Sequence, residues 1–84
     1  MRSKGPEDPV RALAGALRSR RKALGITQIE LARLAGCGPV FIYDLESAKP
    51  TLRLDKLLDV LDVLGLELVV REGRSRLRVD LGET

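Results

Sequence analysis

The sequence predicts a mainly α-helical domain, four short helices followed by a carboxy-terminal β-strand or hairpin. Three observations carry that expectation. Apolar residues recur at helical spacing from Val10 to Leu64, bracketed by residues that start and stop helices. Beyond Gly65 the apolar period changes to two. With 84 residues and only 2% aromatic content, the chain supports one small core built from leucine and other aliphatics. A core of that size buries about 60% of the unfolded surface.

Each element has its own signal. Residues 1–7 hold Gly5 and Pro6 and no apolar pattern, and are expected to form a flexible arm. Asp8 can cap a first helix that Pro9 opens, with Val10, Leu13, Leu17 and Leu24 recurring until Gly25 stops the run. Thr27 and Glu30 have the spacing of a capping box for a second helix of about eight residues. Ile29, Leu31, Leu34 and Ala35 are its apolar positions, and Gly36 stands where a left-handed terminator is wanted. After Gly36-Cys37-Gly38, Pro39 opens a third helix with Ile42 and Leu45 on one face, closed by Lys49-Pro50. Phe41, next to Ile42, fits either core or contact surface. Thr51 is expected to cap a fourth helix in which Leu54, Leu57, Leu58, Leu61 and Leu64 form an apolar stripe. Asp55, Asp59 and Asp62 face solvent there, and Gly65 ends it.

Leu66, Leu68 and Val70, then Leu77, Val79 and Leu81 across Glu72-Gly73-Arg74-Ser75, predict two strands. An isolated hairpin is marginal in water, so the strands either cover their own helices or pair with a second copy of the chain. Pairing between subunits is the favoured alternative. The domain plan is therefore an arm at 1–7, a helical domain at 8–65 and a dimerising β element at 66–84.

The net charge of +3 is unevenly spread. Residues 1–33 carry eight basic side chains against Glu7, Asp8 and Glu30, whereas 34–65 are net acidic. A basic amino-terminal footprint leans towards a polyanionic partner. With no histidine and one cysteine, the usual general bases, imidazole metal ligands and nucleophile pairs cannot be assembled, so neither catalysis nor a metal or cofactor is expected. A lone Cys37 cannot form an internal disulfide and reads as a packed thiol. No apolar run approaches the roughly 20 residues that span a bilayer, and the polar start MRSKGPEDP lacks a signal peptide's apolar stretch. The expectation is a cytoplasmic protein with no membrane partner.

Two short helices joined by a glycine-containing turn make a helix-turn-helix when the second can enter a DNA major groove. Between Leu24 and Pro50 the chain resembles the lambda-repressor/Cro, or Xre-type, family of DNA-binding domains. The resemblance is carried by Leu24-Gly25, Thr27-Gln28, Glu30-Leu31-Ala32, Leu34-Ala35-Gly36, Ile42, Leu45-Glu46 and Lys49-Pro50. The leucine-rich fourth helix ending in LDVLGLELVV, with strand patterning after it, is similar to the HipB-type antitoxin subgroup. That resemblance implies a small homodimeric repressor of its own operon, bound to double-stranded DNA at a palindromic operator. It also implies a partner toxin, a HipA-type serine/threonine kinase.

Carried over position by position, the resemblance implies that Gln28 meets a DNA phosphate with its side chain and amide. Gly38, Pro39, Val40, Tyr43 and Asp44 match groove-facing positions of the recognition helix, and Lys49 lies in the loop that meets phosphate. Arg21 and Glu46 match a structural ion pair between the first helix and the end of the third. The sequence departs from the family where Gly38, Pro39 and Val40 replace residues with side-chain donors. It departs again at Ala48, where the family has glycine and a positive φ would cost alanine about 1 kcal/mol. The first departure motivates a competing expectation, a protein-interaction module that docks a partner enzyme with little DNA binding. Of the basic cluster Arg18, Arg20, Arg21 and Lys22, at least one either meets phosphate or simply solvates a helix face.

Overall fold

The computed structural model describes residues 8–81; the expected arm at 1–7 and residues 82–84 lie outside them. Four helices follow in order: α1 (Pro9–Ala23), α2 (Gln28–Ala35), α3 (Pro39–Glu46) and α4 (Leu54–Leu64). The first two are started by the residues the sequence nominates. Val10 and Arg11 amides donate to Asp8 Oδ1 at 3.0 and 3.5 Å, ahead of Pro9. The Glu30 amide donates to Thr27 Oγ1 at 3.0 Å, and the Thr27 amide returns a bond to Glu30 Oε1 at 2.8 Å, so two otherwise unpaired first-turn donors are satisfied. The Thr27 amide also holds the Glu30 carboxyl below its ordinary pKa. Gly36 ends α2 at φ 73°, a left-handed turn that swings the Cys37 amide back to the Ala32 carbonyl at 3.0 Å.

The fourth helix differs from expectation at its start and along its stripe. It begins at Leu54 with Arg53 as N-cap, and no side chain caps it, so Thr51 is not the cap. Packing sets this register. Leu52 lies against the core, which leaves Thr51 outside the first turn, while Asp55 supplies the anion favoured there. The buried stripe is Leu57, Val60, Leu61 and Leu64; Leu54 and Leu58 are exposed at 57% and 43%. Val60, absent from the expected stripe, is fully buried because positions 57, 60, 61 and 64 follow the helical period.

α2 packs against α3 and α4, and α1 against α3 and α4. The core gathers Leu17, Leu31, Ile42, Leu45 and the α4 stripe, with Phe41 and Cys37 packed at its edge. Phe41 is therefore half-buried against the core. Each fully buried Leu, Ile or Val side chain contributes about 1.5–3 kcal/mol relative to exposure. Burial raises the Cys37 thiol's pKa, as a packed thiol requires. Gly65 terminates α4 at φ 71°; a Cβ there would lie 3.2 Å from Arg20 Nη2.

The expected carboxy-terminal strands are not present among the described residues: 66–81 form no strand or helix. Leu66 packs on the core, but Leu68, Val69 and Val70 are increasingly exposed, Val70 at 90%. Alternation marks a strand only where a second strand takes up its amides and carbonyls and a layer covers one face. The four helices offer 66–81 no second strand to pair with. The chain alone therefore leaves this segment without regular secondary structure.

Candidate nucleic-acid interface

α3 is tethered at its carboxy-terminal end by a buried polar cluster. Glu46 Oε2 accepts from Arg21 Nε at 2.7 Å and Glu46 Oε1 from Arg21 Nη2 at 3.0 Å, a two-pronged ion pair between α1 and α3. Arg21 is 8% exposed, and its Nη1 donates to the Ile26 carbonyl at 2.9 Å in the α1–α2 turn. Gln28 Nε2 adds a third bond to Glu46 Oε1 at 3.1 Å. One carboxylate thus ties α1, the first residue of α2 and the last residue of α3 together. No buried side-chain nitrogen or oxygen among the described residues is left without a partner. The hydrogen bond to Glu46 raises the Arg21 guanidinium's pKa further above its already high value.

The face of α3 away from Ile42 and Leu45 is open. Ile42 and Leu45 are buried, while Gly38, Pro39, Val40 and Tyr43 are exposed, with Val40 at 65% and Tyr43 at 43%. Val40, Tyr43 and Asp44 fall at i, i+3 and i+4, one stripe of the helix. Lys49 Nζ pairs with Asp44 Oδ2 at 3.4 Å on the surface, at the end of the turn that follows α3. Ala48, in that turn, has φ 66°, so the strained conformation considered from the sequence is the one adopted. The Gly38 N-cap makes no side-chain bond; its carbonyl accepts from the Phe41 amide at 3.2 Å, and Pro39 has no N–H to satisfy.

The structure therefore brings Gly38, Pro39, Val40, Tyr43, Asp44 and Lys49 to one exposed side. It sets Gln28 at the junction of that side with the buried cluster. The Gln28 side chain, at the first residue of α2, is already engaged by Glu46. Sequence reasoning had no view of that bond, which spans 18 residues. Nor could it assign Arg20, whose Nε donates to the Leu64 carbonyl at 2.8 Å and closes the end of α4. Of the basic cluster, Arg18 and Lys22 remain exposed on α1.

A rigid pair of helices joined by the Gly36-Cys37-Gly38 turn, with the second helix presenting an unobstructed face, defines a helix-turn-helix domain. Residues 17–70 match the helix-turn-helix family model. The chain belongs to that family, in its Xre-type branch. It is 42% identical over 76 residues, 89% of its length, to the uncharacterised HTH-type transcriptional regulator y4mF of Sinorhizobium fredii, covering 95% of that protein. Among solved structures it is similar to the clp gene regulator ClgR of C. glutamicum, with TM-score 0.65, 35% identity, and 77% and 85% of the two chains covered. It is also similar to a chain of the HipA-HipB-O2-O3 complex, with TM-score 0.70, 25% identity, and 86% and 100% covered. The protein is a helix-turn-helix transcriptional regulator of the Xre type. No helix among the described residues is long and apolar enough to cross a membrane.

Proposed function

We propose that this regulator is a repressor that binds double-stranded DNA as a homodimer, its two α3 helices entering successive major grooves about 34 Å apart on a palindromic operator. The observation that carries the proposal is the contrast on α3: one side fixed by Arg21, Glu46 and Gln28, the other side open through Val40 and Tyr43. In this assignment the Gln28 amide, at the positive end of α2, takes a phosphate and sets the register. Gly38, Pro39, Val40, Tyr43 and Asp44 enter the groove. Lys49, freed from Asp44, takes a second phosphate, and Arg18 and Lys22 add long-range attraction. The apolar side chains of 66–81 supply the contact between subunits, supported by the exposure of Leu68, Val69, Val70 and Leu81.

The similarity to a chain of a HipA-HipB complex supports a finer role: the antitoxin of a type II pair that represses its own operon and neutralises a HipA-type kinase. A kinase-like neighbouring gene whose growth arrest is relieved by coexpression of this chain is the expected result. A neighbour unrelated to kinases, or an arrest that coexpression leaves untouched, removes the antitoxin role and leaves the repressor. The DNA half is tested by mobility shift against the DNA upstream of the chain's own gene at about 50 and 200 mM salt. Preference for that DNA over random duplex, with binding that weakens steeply with salt, is expected.

A second function is favoured by one observation. Gly38, Pro39 and Val40 carry no side-chain donor, as a protein-docking face would allow. Salt-insensitive behaviour with no preference for the upstream DNA decides for that interaction module.

A further inference from the structure

The open face of α3 says what kind of base edge it can read, an inference that rests on the DNA-binding role proposed above. Direct readout ordinarily uses side chains that donate and accept at once, or that donate twice to guanine. Here Gly38 and Val40 contribute no polar side-chain atom, and Pro39 lacks even a backbone N–H. Tyr43 offers a single hydroxyl. Asp44, paired with Lys49 at 3.4 Å in the free chain, is an acceptor only and once released can take a single bond from an amino group such as cytosine N4, but nothing from guanine. Guanine presents only acceptors in the major groove, so a guanine edge would find no partner here but the Tyr43 hydroxyl and would lose its water uncompensated.

What the face does offer is apolar surface. Val40 is 65% and Tyr43 43% exposed, one turn apart on the same stripe, with the Pro39 ring beside them. The only apolar feature of a base edge in the major groove is the C5-methyl group of thymine. We infer that this protein reads its operator chiefly through thymine methyl groups packed against Val40 and Tyr43, rather than through a bidentate hydrogen bond. Burial of one methyl is worth about a fourfold gain in affinity, and a two-fold symmetric site doubles the contact to about fifteenfold.

The test uses the whole chain and two otherwise identical random duplex libraries, one made with thymidine and one with deoxyuridine, which lacks only the methyl. Selection from the thymidine library should enrich half-sites with thymine at the groove centre. In anisotropy titrations of that selected duplex, changing one such thymine to uracil should weaken binding about fourfold, and changing its symmetry mate as well about fifteenfold. Val40→Ser, at an exposed position whose fold is checked by circular dichroism, should lower the thymine-to-uracil ratio, leaving only the Tyr43 contact. Enriched half-sites built on guanine, or equal affinity for thymine and uracil duplexes, overturns methyl readout while leaving DNA binding in place. Absence of salt-sensitive binding to any duplex overturns the DNA-binding role, and the inference with it.

Discussion

α3 carries two ion pairs at opposite faces, and they do opposite jobs. The inner pair, Arg21–Glu46, is buried and bidentate, joined by Gln28 and the Ile26 carbonyl. The outer pair, Lys49–Asp44, is a single 3.4 Å contact between half-exposed side chains. A buried pair costs desolvation and supplies little net stability, but removing one partner strands a charge in the core. A surface pair is worth about 0–1 kcal/mol and exchanges readily with water or another anion. The fold thus uses charge as a fixed joint where the helices meet and as a loose contact where a ligand can compete.

The two pairs differ most in what the loss of Glu46 does. Glu46→Ala, or Arg21→Ala, should cost about 3–5 kcal/mol in urea denaturation, a large part of the about 4–12 kcal/mol typical of a domain this size. A loss under 1 kcal/mol would place the inner pair with the surface ones. The joint should also be insensitive to alkali. Arg21's folded pKa is raised, so its contribution is fully present below the ordinary arginine value and is lost only as pH rises through the still higher folded value. Stability between pH 7 and 10 should show no loss that Glu46→Ala removes.

Ala48 lies in the turn between the two pairs, with φ 66°. Ala48→Gly should relieve that conformation and stabilise the domain by about 1 kcal/mol, read as a higher denaturation midpoint. A neutral or negative effect would mean that the turn's strain is offset by the alanine side chain.

The outer pair gives a smaller, two-part signature. Lys49→Ala should change stability by less than about 1 kcal/mol, yet lower the salt dependence of DNA binding by about one unit in slope per subunit. An unchanged slope would confine Lys49 to its contact with Asp44.

The smallest effect belongs to the capping box. Glu30's folded pKa is depressed, so its contribution is present above its ordinary value of 4.5 and is lost as pH falls through the folded value. Acid titration of stability should flatten slightly below pH 4.5 in Glu30→Gln, since that side chain no longer titrates.

What the sequence made legible follows the range of the interactions. Caps at Asp8 and Thr27 and the terminator at Gly36 are decided within a few residues, and all three stand as read. The fourth helix's start was misassigned to Thr51 because a local capping residue lost to the burial of Leu52 and Leu57, a tertiary effect. Its stripe was read from leucines alone, so Val60 was missed. The strand pattern after Gly65 was read correctly as alternation, but a strand needs partners that alternation cannot supply. At the candidate site, helical spacing gives Ile42 and Leu45 as the buried face of α3, while the groove-facing positions come from the resemblance. The Arg21–Glu46 joint, spanning 25 residues, was reachable only through resemblance, and the Gln28–Glu46 and Arg20–Leu64 bonds had no signal at all.

α3 offers one free face to DNA while its other face is locked. This is tested most directly by following backbone amide resonances of the 15N-labelled chain as a duplex carrying the upstream sequence is added. The account predicts large shifts at Gln28, Gly38, Val40, Tyr43 and Lys49, with Ile42, Leu45 and the α4 residues Val60 and Leu64 nearly unmoved. Shifts concentrated in α4 and 66–81, with α3 silent, would contradict it.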